Sequence, residues 1–193
     1  MKIKTAILSG SFNPIHIGHT VIANYVVEYT NVNELWFVVS PHNPLKNPES
    51  ILNEQHRLKM LEIAISHFIL PFKICDVEMK MPKPSYTIDT LTVLSKNYPD
   101  REFVLVMGAD SIAQIEQWKN YEEILNNYTI FVYPRVGYDT ESLCHKYRVE
   151  SIAAPLINIS ATFIRDALEN NKNVESFLPY GVHQYIEQYK LYK

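Results

Sequence analysis

The stretch Leu8-Ser9-Gly10-Ser11-Phe12-Asn13-Pro14-Ile15-His16-Ile17-Gly18-His19 decides the fold expected for this chain. It continues a short apolar run of the kind found in the inner strands of parallel sheets. Gly10 ends that run and permits the close approach of another backbone or a ligand. Pro14 suits a helix start, where a missing N–H has no cost, and apolar residues then recur at helical spacing from Val21 to Tyr29. The stretch therefore predicts a buried strand, a tight loop and the first turn of a helix.

His16 and His19 are three residues apart, so they lie on one face of the beginning helix. Free backbone amides and the positive end of the helix dipole point the same way, which favours an anion there. The imidazoles add N–H donors, and Gly18 between them leaves room for a flat ring or a sugar. Two capping histidines after an ordinary strand-to-helix turn are the alternative. The glycines and the Asn-Pro pair at fixed places in the same stretch favour phosphate binding instead.

Length and composition restrict the class of protein. A chain of 193 residues with a formal net charge of −3 fits one globular domain and argues against a general nucleic-acid surface. No apolar stretch is long enough to cross a membrane, and the first residues run into the first strand without a signal-peptide layout. Cys75 and Cys144 are too few for a disulfide framework and lie in no metal-ligand spacing. We expect a cytoplasmic protein without nucleic-acid or membrane partners. Its assembly state is open, with a homo-oligomer as one alternative.

Strand and helix patterns alternate along the chain. After the first strand, the pattern predicts strands over Leu35–Ser40, Phe72–Met79, Phe103–Met107, Thr129–Tyr133 and, more weakly, Ser151–Ala154. It predicts further helices over Asn53–Ser66, Ser85–Lys96, Glu141–Tyr147, Ala161–Asn170 and Pro179–Tyr189, with helical turns over Ser111–Trp118 and Tyr121–Asn126. We therefore predict an α/β fold: a single domain with a Rossmann-like doubly wound parallel sheet of about five to six strands, covered by helices on both faces. Its core spans about 1–135, and a helical portion follows at about 156–193.

A second segment, Ile159-Ser160-Ala161-Thr162-Phe163-Ile164-Arg165, opens one of these helices. Ser160 is a good N-cap, and Thr162 offers another hydroxyl beside free amides. Arg165 lies one turn in and can reach back as a forked donor to phosphate oxygens. Taken alone, the segment is typical of a capped surface helix with a solvated arginine. Together with the loop from Gly10 to His19 (the histidine loop), the segment predicts a second anion-binding site. Two such sites suit a triphosphate lying between two helix starts.

The run Gly10-Ser11-Phe12-Asn13-Pro14-x-His16-x-Gly18-His19 resembles the signature of the nucleotidyltransferase superfamily with the His-x-Gly-His motif. Its form is most similar to the bacterial nicotinate mononucleotide adenylyltransferases. The second segment resembles that family's Ile-Ser-Ser-Thr-x-Ile-Arg signature and departs from it at Ala161, where the family usually has a hydroxyl. The matches run from Gly10 to Ile186.

The resemblance implies transfer of the adenylyl group of ATP to the 5′-phosphate of nicotinate mononucleotide, which yields deamido-NAD and pyrophosphate. Mg²⁺ would be carried mainly by the ATP phosphates, because no carboxylate cluster in the sequence forms a dedicated cage.

The resemblance also implies roles for individual residues. His16 and His19 would hold the α-phosphate of ATP, and Arg165 the leaving pyrophosphate. Further ATP contacts are implied for Gly10, Ser11, Phe12, Gly18, Ser160 and Thr162, with the portion at about 156–193 completing the ATP site. Contacts to the mononucleotide are implied for Asn13, His42, Lys46, Tyr86, Thr87, Asp110, Trp118 and Arg135.

Within the mononucleotide set, the run around Thr87 would lie against the pyridine ring and its carboxylate. Asp110 would meet a ribose, and Trp118 would stack on the nicotinate ring. Structural alternatives remain for each: Ser85 or Thr87 as a helix cap, Asp110 as an N-cap, and Trp118 as ordinary core.

Other functions are compatible with parts of this pattern. A transferase acting on nicotinamide mononucleotide or phosphopantetheine would keep the histidine loop without needing the pocket of Thr87 and Trp118. A class I aminoacyl-tRNA synthetase also carries His-Ile-Gly-His, but the short length, the acidic charge and the absence of Lys-Met-Ser-Lys-Ser argue against it. A nucleotide-sensing module would bind ATP without turning it over. Ala161 slightly favours that module, whereas the intact His16, His19 and Arg165 favour an enzyme.

Overall fold

The computed structural model describes residues 2–41 and 52–193. Its strands are β1 (Ile3–Gly10), β2 (Glu34–Val39), β3 (Phe72–Cys75), β4 (Arg101–Gly108), β5 (Thr129–Tyr133) and β6 (Glu150–Ser151). Its helices are α1 (Ile17–Tyr29), α2 (Glu54–Ser66), α3 (Thr87–Asn97), α4 (Ala109–Ile112), α5 (Tyr121–Asn127), α6 (Thr140–Tyr147), α7 (Ala161–Glu169) and α8 (Val182–Tyr189). Short 3₁₀ turns lie at Val77–Lys80, Ile115–Gln117 and Glu175–Phe177.

The strands form one parallel sheet in the order β3-β2-β1-β4-β5-β6. This arrangement confirms the predicted doubly wound fold. The strand order reverses between β1 and β4, so a crevice opens beyond their carboxyl ends at Gly10 and Gly108. Ligands of such sheets bind in that crevice.

Each face of the sheet has its own hydrophobic core, because successive side chains of a strand point to opposite faces. In β1, Ala6 and Leu8 pack into the core beneath α1, α2, α7 and α8. Ile7, between them, packs into the other core beneath α3, α4 and α5. All six residues of β2 are buried, as expected for an inner strand covered on both sides.

The third strand is shorter than the sequence pattern predicts. The strand expected over Phe72–Met79 ends at Cys75, and the chain turns into the 3₁₀ segment Val77–Lys80. The turn carries the Glu78 carboxylate into the interior, where hydroxyl groups of neighbouring segments donate to it. A polar requirement of the tertiary structure thus overrides the alternating pattern.

Other predicted boundaries and caps also need correction. Tyr86, and neither Ser85 nor Thr87, occupies the N-cap of α3, because the Ser85 hydroxyl donates to Glu78 instead. Gly108 holds the N-cap position of α4, which places Asp110 in the first turn. The last helix starts at Val182 rather than Pro179, since Gly181 has a left-handed φ of 81°. β6 is limited to Glu150–Ser151.

Two further findings concern membrane spans and the cysteines. In residues 2–41 and 52–193, no helix combines the length and the apolar character needed to span a membrane. Cys75 and Cys144 are both free thiols, as predicted.

Candidate active site

A cavity of about 710 Å³ lies beyond the carboxyl ends of β1 and β4. This size is typical of small-molecule sites. The sequence-predicted site residues that line it are Gly10, Ser11, Phe12, Asn13, His16, Gly18, His19, Tyr86, Thr87, Asp110, Trp118, Arg135, Ser160, Thr162 and Arg165. His42 and Lys46 lie outside the described residues. Segments that are far apart in the chain therefore converge on one cavity.

The two histidines stand together at the start of α1. His16 is the N-cap residue, and its ring lies 3.8 Å from that of His19 between centroids. The backbone N–H of His16 donates to Nδ1 of His19 at 3.2 Å. A neutral His19 ring consequently carries its proton on Nε2, and that atom is a donor rather than an acceptor. The edge-on contact of Phe12 with the His19 ring, at 5.1 Å between centroids, also restrains that ring.

His16 is buried, and this decides its charge. Burial, aided by the nearby positive charge of Arg135, lowers the pKa of His16 to about 4. Its Nδ1 is buried and has no hydrogen-bond partner among the residues that the structure describes. Near neutral pH, His16 is therefore uncharged, and the positive charges among the described lining residues belong to Arg135, Arg165 and Lys119.

The start of α7 also lines the cavity. The Ser160 hydroxyl accepts a hydrogen bond from the backbone N–H of Phe163 at 3.1 Å, which confirms the predicted N-cap. Arg165 donates from Nη1 to the carbonyl oxygen of Asn13 at 2.8 Å and from Nη2 to Oγ1 of Thr162 at 3.2 Å. Arg165 thus joins α7 directly to the histidine loop.

The far side of the cavity carries aromatic and charged side chains. Arg135 lies 3.5 Å from the carboxylate of Asp110. Lys119 pairs with Asp89 at 2.8 Å, and its ammonium group lies 5.0 Å from the centroid of the Tyr86 ring. Trp118 is half-buried after the turn Ile115–Gln117 and is not part of a helix. This side therefore offers flat rings beside fixed charges.

Comparison with known proteins agrees with this geometry. Residues 7–167 match the model of the cytidylyltransferase-like family. The chain is 41% identical over 193 residues to a probable nicotinate-nucleotide adenylyltransferase of Flavobacterium johnsoniae, covering 99% of this chain and 100% of the relative. It is 42% identical over 190 residues to a protein of the same description from Cytophaga hutchinsonii, covering 98% of each chain. The chain belongs to the nicotinate-nucleotide adenylyltransferase family, within the cytidylyltransferase-like proteins.

Solved structures match the fold of this family member over nearly its full length. A nicotinic acid mononucleotide adenylyltransferase of Plasmodium falciparum, complexed with NaAD, superimposes with a TM-score of 0.84. The sequence identity is 21%, and the match covers 98% of this chain and 97% of the other. A structure of the Plasmodium falciparum enzyme complexed with APC gives a TM-score of 0.83 at 22% identity and covers 100% and 98% of the two chains.

Two residues that organise the site of this family member have no recognisable signal in the sequence. The first is Arg57 of α2, whose side chain is completely buried. It donates to the carbonyl oxygens of Ser11 at 2.6 Å, Ser40 at 2.7 Å and Leu52 at 3.0 Å. Burial lowers its pKa from the usual value for arginine. An arginine in an amphipathic helix is ordinarily solvated. The sequence therefore gives no sign that Arg57 is buried and bonded to the carbonyl oxygens of the loops.

The second such residue is Glu78, which is buried at the edge of the cavity. Its carboxylate accepts hydrogen bonds from Ser40 at 2.5 Å, Ser85 at 2.7 Å and Thr90 at 3.1 Å. It therefore ties the end of β2 to the segment that leads into α3. The sequence pattern predicts a strand over Phe72–Met79, and a strand pattern gives no reason to expect a buried carboxylate. The role of Glu78 as a hydrogen-bond acceptor therefore could not be predicted.

Proposed function

We propose that this protein transfers the adenylyl group of ATP to the 5′-phosphate of nicotinate mononucleotide, and thereby makes deamido-NAD and pyrophosphate. The observation that carries the proposal is the hydrogen bond between Arg165 and Asn13, which brings the starts of α1 and α7 to one cavity. Two helix N-termini with an arginine between them suit a chain of phosphates. The two relatives, both described as probable nicotinate-nucleotide adenylyltransferases, are named for this reaction.

The proposed reaction is a direct in-line displacement. An oxygen of the mononucleotide phosphate forms a bond to the α-phosphorus of ATP, and the bond from that phosphorus to the oxygen bridging to the β-phosphate breaks. The attacking phosphate is already an anion and needs no general base. Catalysis then consists of positioning and of neutralising the charge that develops.

The side chains divide this work according to their place in the cavity. His16 and His19 would hold the α-phosphate as hydrogen-bond donors, with His16 neutral. Arg165, Ser160 and Thr162 would hold the pyrophosphate, and the portion at about 156–193 would thereby complete the ATP site. Backbone amides at the start of α7 remain available where Ala161 replaces the hydroxyl of the family signature.

On the mononucleotide side, we propose that Thr87 and the neighbouring amides meet the pyridine carboxylate, while Trp118 stacks on the ring. Stacking of a flat ring on indole contributes about 0.5–1.5 kcal/mol beyond burial. Asp110, held beside Arg135, would meet a ribose hydroxyl. His42 and Lys46 remain predicted phosphate contacts.

We propose Mg²⁺ as a counter-ion of the ATP phosphates. Residues 2–41 and 52–193 contain no group of three or more His, Cys, Asp or Glu side chains that could hold a metal ion. When bound to the phosphates, the ion would offset their negative charge. The two free thiols fit a reducing compartment, and we propose the cytoplasm as the location of the protein.

The experiment mixes the purified protein with ATP and Mg²⁺ and offers nicotinate mononucleotide, nicotinamide mononucleotide or phosphopantetheine in turn. Pyrophosphate release and product mass are measured. We expect deamido-NAD to form fastest. Preference for another acceptor would replace the proposed substrate, and ATP binding without product would indicate a sensing module.

A histidine variant tests the site assignment in the same assay. His19→Ala should lower the rate by about 10²–10³-fold, the usual cost of removing one preorganised donor. His145→Ala is the control, because His145 is exposed on α6 outside the cavity. A His19→Ala enzyme with most of its activity would exclude the assigned role.

A further inference from the structure

Asn13 lies where three separate parts of the chain meet. Its side-chain Oδ1 accepts a hydrogen bond from the Tyr192 hydroxyl at 2.8 Å and from the backbone N–H of Leu52 at 3.3 Å. Its carbonyl oxygen accepts the hydrogen bond from Nη1 of Arg165 at 2.8 Å. Asn13 therefore connects Tyr192, which bonds its side chain, with Arg165, which bonds its backbone carbonyl.

The chain is bent so that Tyr192 reaches Asn13. Lys190 ends α8 in the left-handed conformation, and the N–H of Leu191 bonds back to the carbonyl of Ile186 at 3.0 Å. Tyr192 itself has a φ of 63°, which is uncommon for a residue other than glycine. Leu191 is buried in the core beneath α1, and the Tyr192 ring packs against the same core. Packing on both residues thus holds the segment in this conformation.

The Tyr192 hydroxyl is suited to donate to Asn13. Burial raises the pKa of Tyr192 far above its usual value, although the positive charges of Arg165 and Arg57 act in the opposite direction. The phenol therefore keeps its proton across the physiological range. The uncharged phenol of Tyr192, near Arg165 and Arg57, therefore donates a hydrogen bond that holds the loop at Asn13 in place.

We propose that Tyr192 is a positioning residue for the phosphate site: through Asn13, its hydroxyl sets the position of Arg165 and of the loop before His16. The inference rests on the proposed adenylyl transfer, in which Arg165 meets the pyrophosphate part of ATP. It assigns a role in the reaction to a side chain that follows the last helix and does not line the cavity.

The test removes a single oxygen atom. Tyr192→Phe keeps the ring and its packing but loses the donor. Tyr189→Phe makes the same change at an exposed position of α8, where the Tyr189 ring lies 4.6 Å from that of Tyr185 between centroids. A buried neutral hydrogen bond corresponds to a change of about fivefold in an equilibrium or rate constant. We therefore expect Tyr192→Phe to weaken ATP binding in calorimetry and to lower kcat by about fivefold each. Tyr189→Phe should leave both values at those of the wild type.

A second variant separates positioning from general stability. In the Asn13→Ala background the hydroxyl has lost its acceptor, so adding Tyr192→Phe should cause no further loss of ATP affinity or kcat. All measurements are made well below the melting temperature of each variant. The proposal is overturned if Tyr192→Phe keeps ATP affinity and kcat within twofold of the wild type. It is also overturned if Tyr192→Phe causes the same loss in the Asn13→Ala background as in the wild type. Should the wild type bind ATP but transfer no adenylyl group, the proposed function fails while ATP affinity alone still decides the role of Tyr192.

Discussion

Nη1 of Arg165 donates to the carbonyl oxygen of Asn13 at 2.8 Å, although 152 positions separate the two residues in the chain. This bond joins the first loop of the sheet to the start of α7. It also leaves the rest of the guanidinium beside Thr162 at the cavity. The proposed phosphate site is therefore formed by residues from both ends of the chain, and variants at either end test its geometry.

Arg165→Lys should lower kcat by about 10²-fold, because an ammonium point charge cannot bond the Asn13 carbonyl and a phosphate with one rigid fork. The fold should be retained, since the side chain lies at the cavity and not in either core. Steady-state kinetics and circular dichroism check this expectation. Arg148→Lys, at the exposed C-cap of α6, is the matched control. Equal activity of Arg165→Lys and the wild type would show that a single charge is sufficient.

Gly18→Ala should impair the histidine pair. A Cβ at position 18 would lie 2.9 Å from Nδ1 and 3.0 Å from Cε1 of His16, and the His16 ring is already buried against His19. The ring must therefore shift, and a displacement of about 1 Å in a catalytic group costs on the order of 10²-fold in rate. Gly137→Ala is not an equivalent control, because Gly137 has a φ of 85°. Ala23→Gly, which removes one buried methyl group further along α1, shows instead what a loss of helix stability alone does to the rate. Unchanged kinetics in Gly18→Ala would show that the structure accommodates the added Cβ without displacing the His16 ring.

The buried, neutral His16 should make stability depend on pH. Its pKa is about 4 in the folded protein and near 6.5 when unfolded. Well above pH 6.5 both states are neutral, so the group has no effect on the slope there. As the pH falls from 6.5 to 4, the unfolded state takes up a proton that the folded state refuses, and the free energy of unfolding decreases by about 3 kcal/mol in total.

Urea unfolding of the wild type and His16→Gln across pH 4–8 measures this contribution as the difference between the two curves. The wild type should lose more stability than the variant between pH 6.5 and 4, and the curves should be parallel above pH 7. NMR titration of the His16 ring should give a midpoint near the same low pKa. Parallel curves over the whole range would contradict the burial of this histidine.

Glu78→Gln should weaken both the fold and the mononucleotide side of the cavity. Hydrogen bonds to a charged acceptor contribute about 1.5–3 kcal/mol, and Glu78 accepts three short ones from Ser40, Ser85 and Thr90. We expect the free energy of unfolding to fall by about 2 kcal/mol and KM for the mononucleotide to rise more than KM for ATP.

A matched control for this change is Glu141→Gln. Glu141 accepts a hydrogen bond from the Ser151 hydroxyl at 2.7 Å on the surface, away from the cavity. Thermal unfolding and steady-state kinetics with each substrate varied in turn compare the two variants. Equal rises in KM for both substrates would show that Glu78 supports the whole crevice and not one side of it.

The sequence by itself determined the strand–loop–helix unit from Leu8 to His19, the Ser160 cap, and the parallel α/β fold. These features depend on local physics: apolar periodicity, the places of glycine and proline, and side chains that satisfy nearby backbone amides. Only the tertiary structure decided that Arg165 bonds Asn13, that Arg57 and Glu78 are buried beneath the loops, and that His16 is neutral. Each of these depends on partners distant in the chain and on exclusion of water, neither of which a local pattern contains.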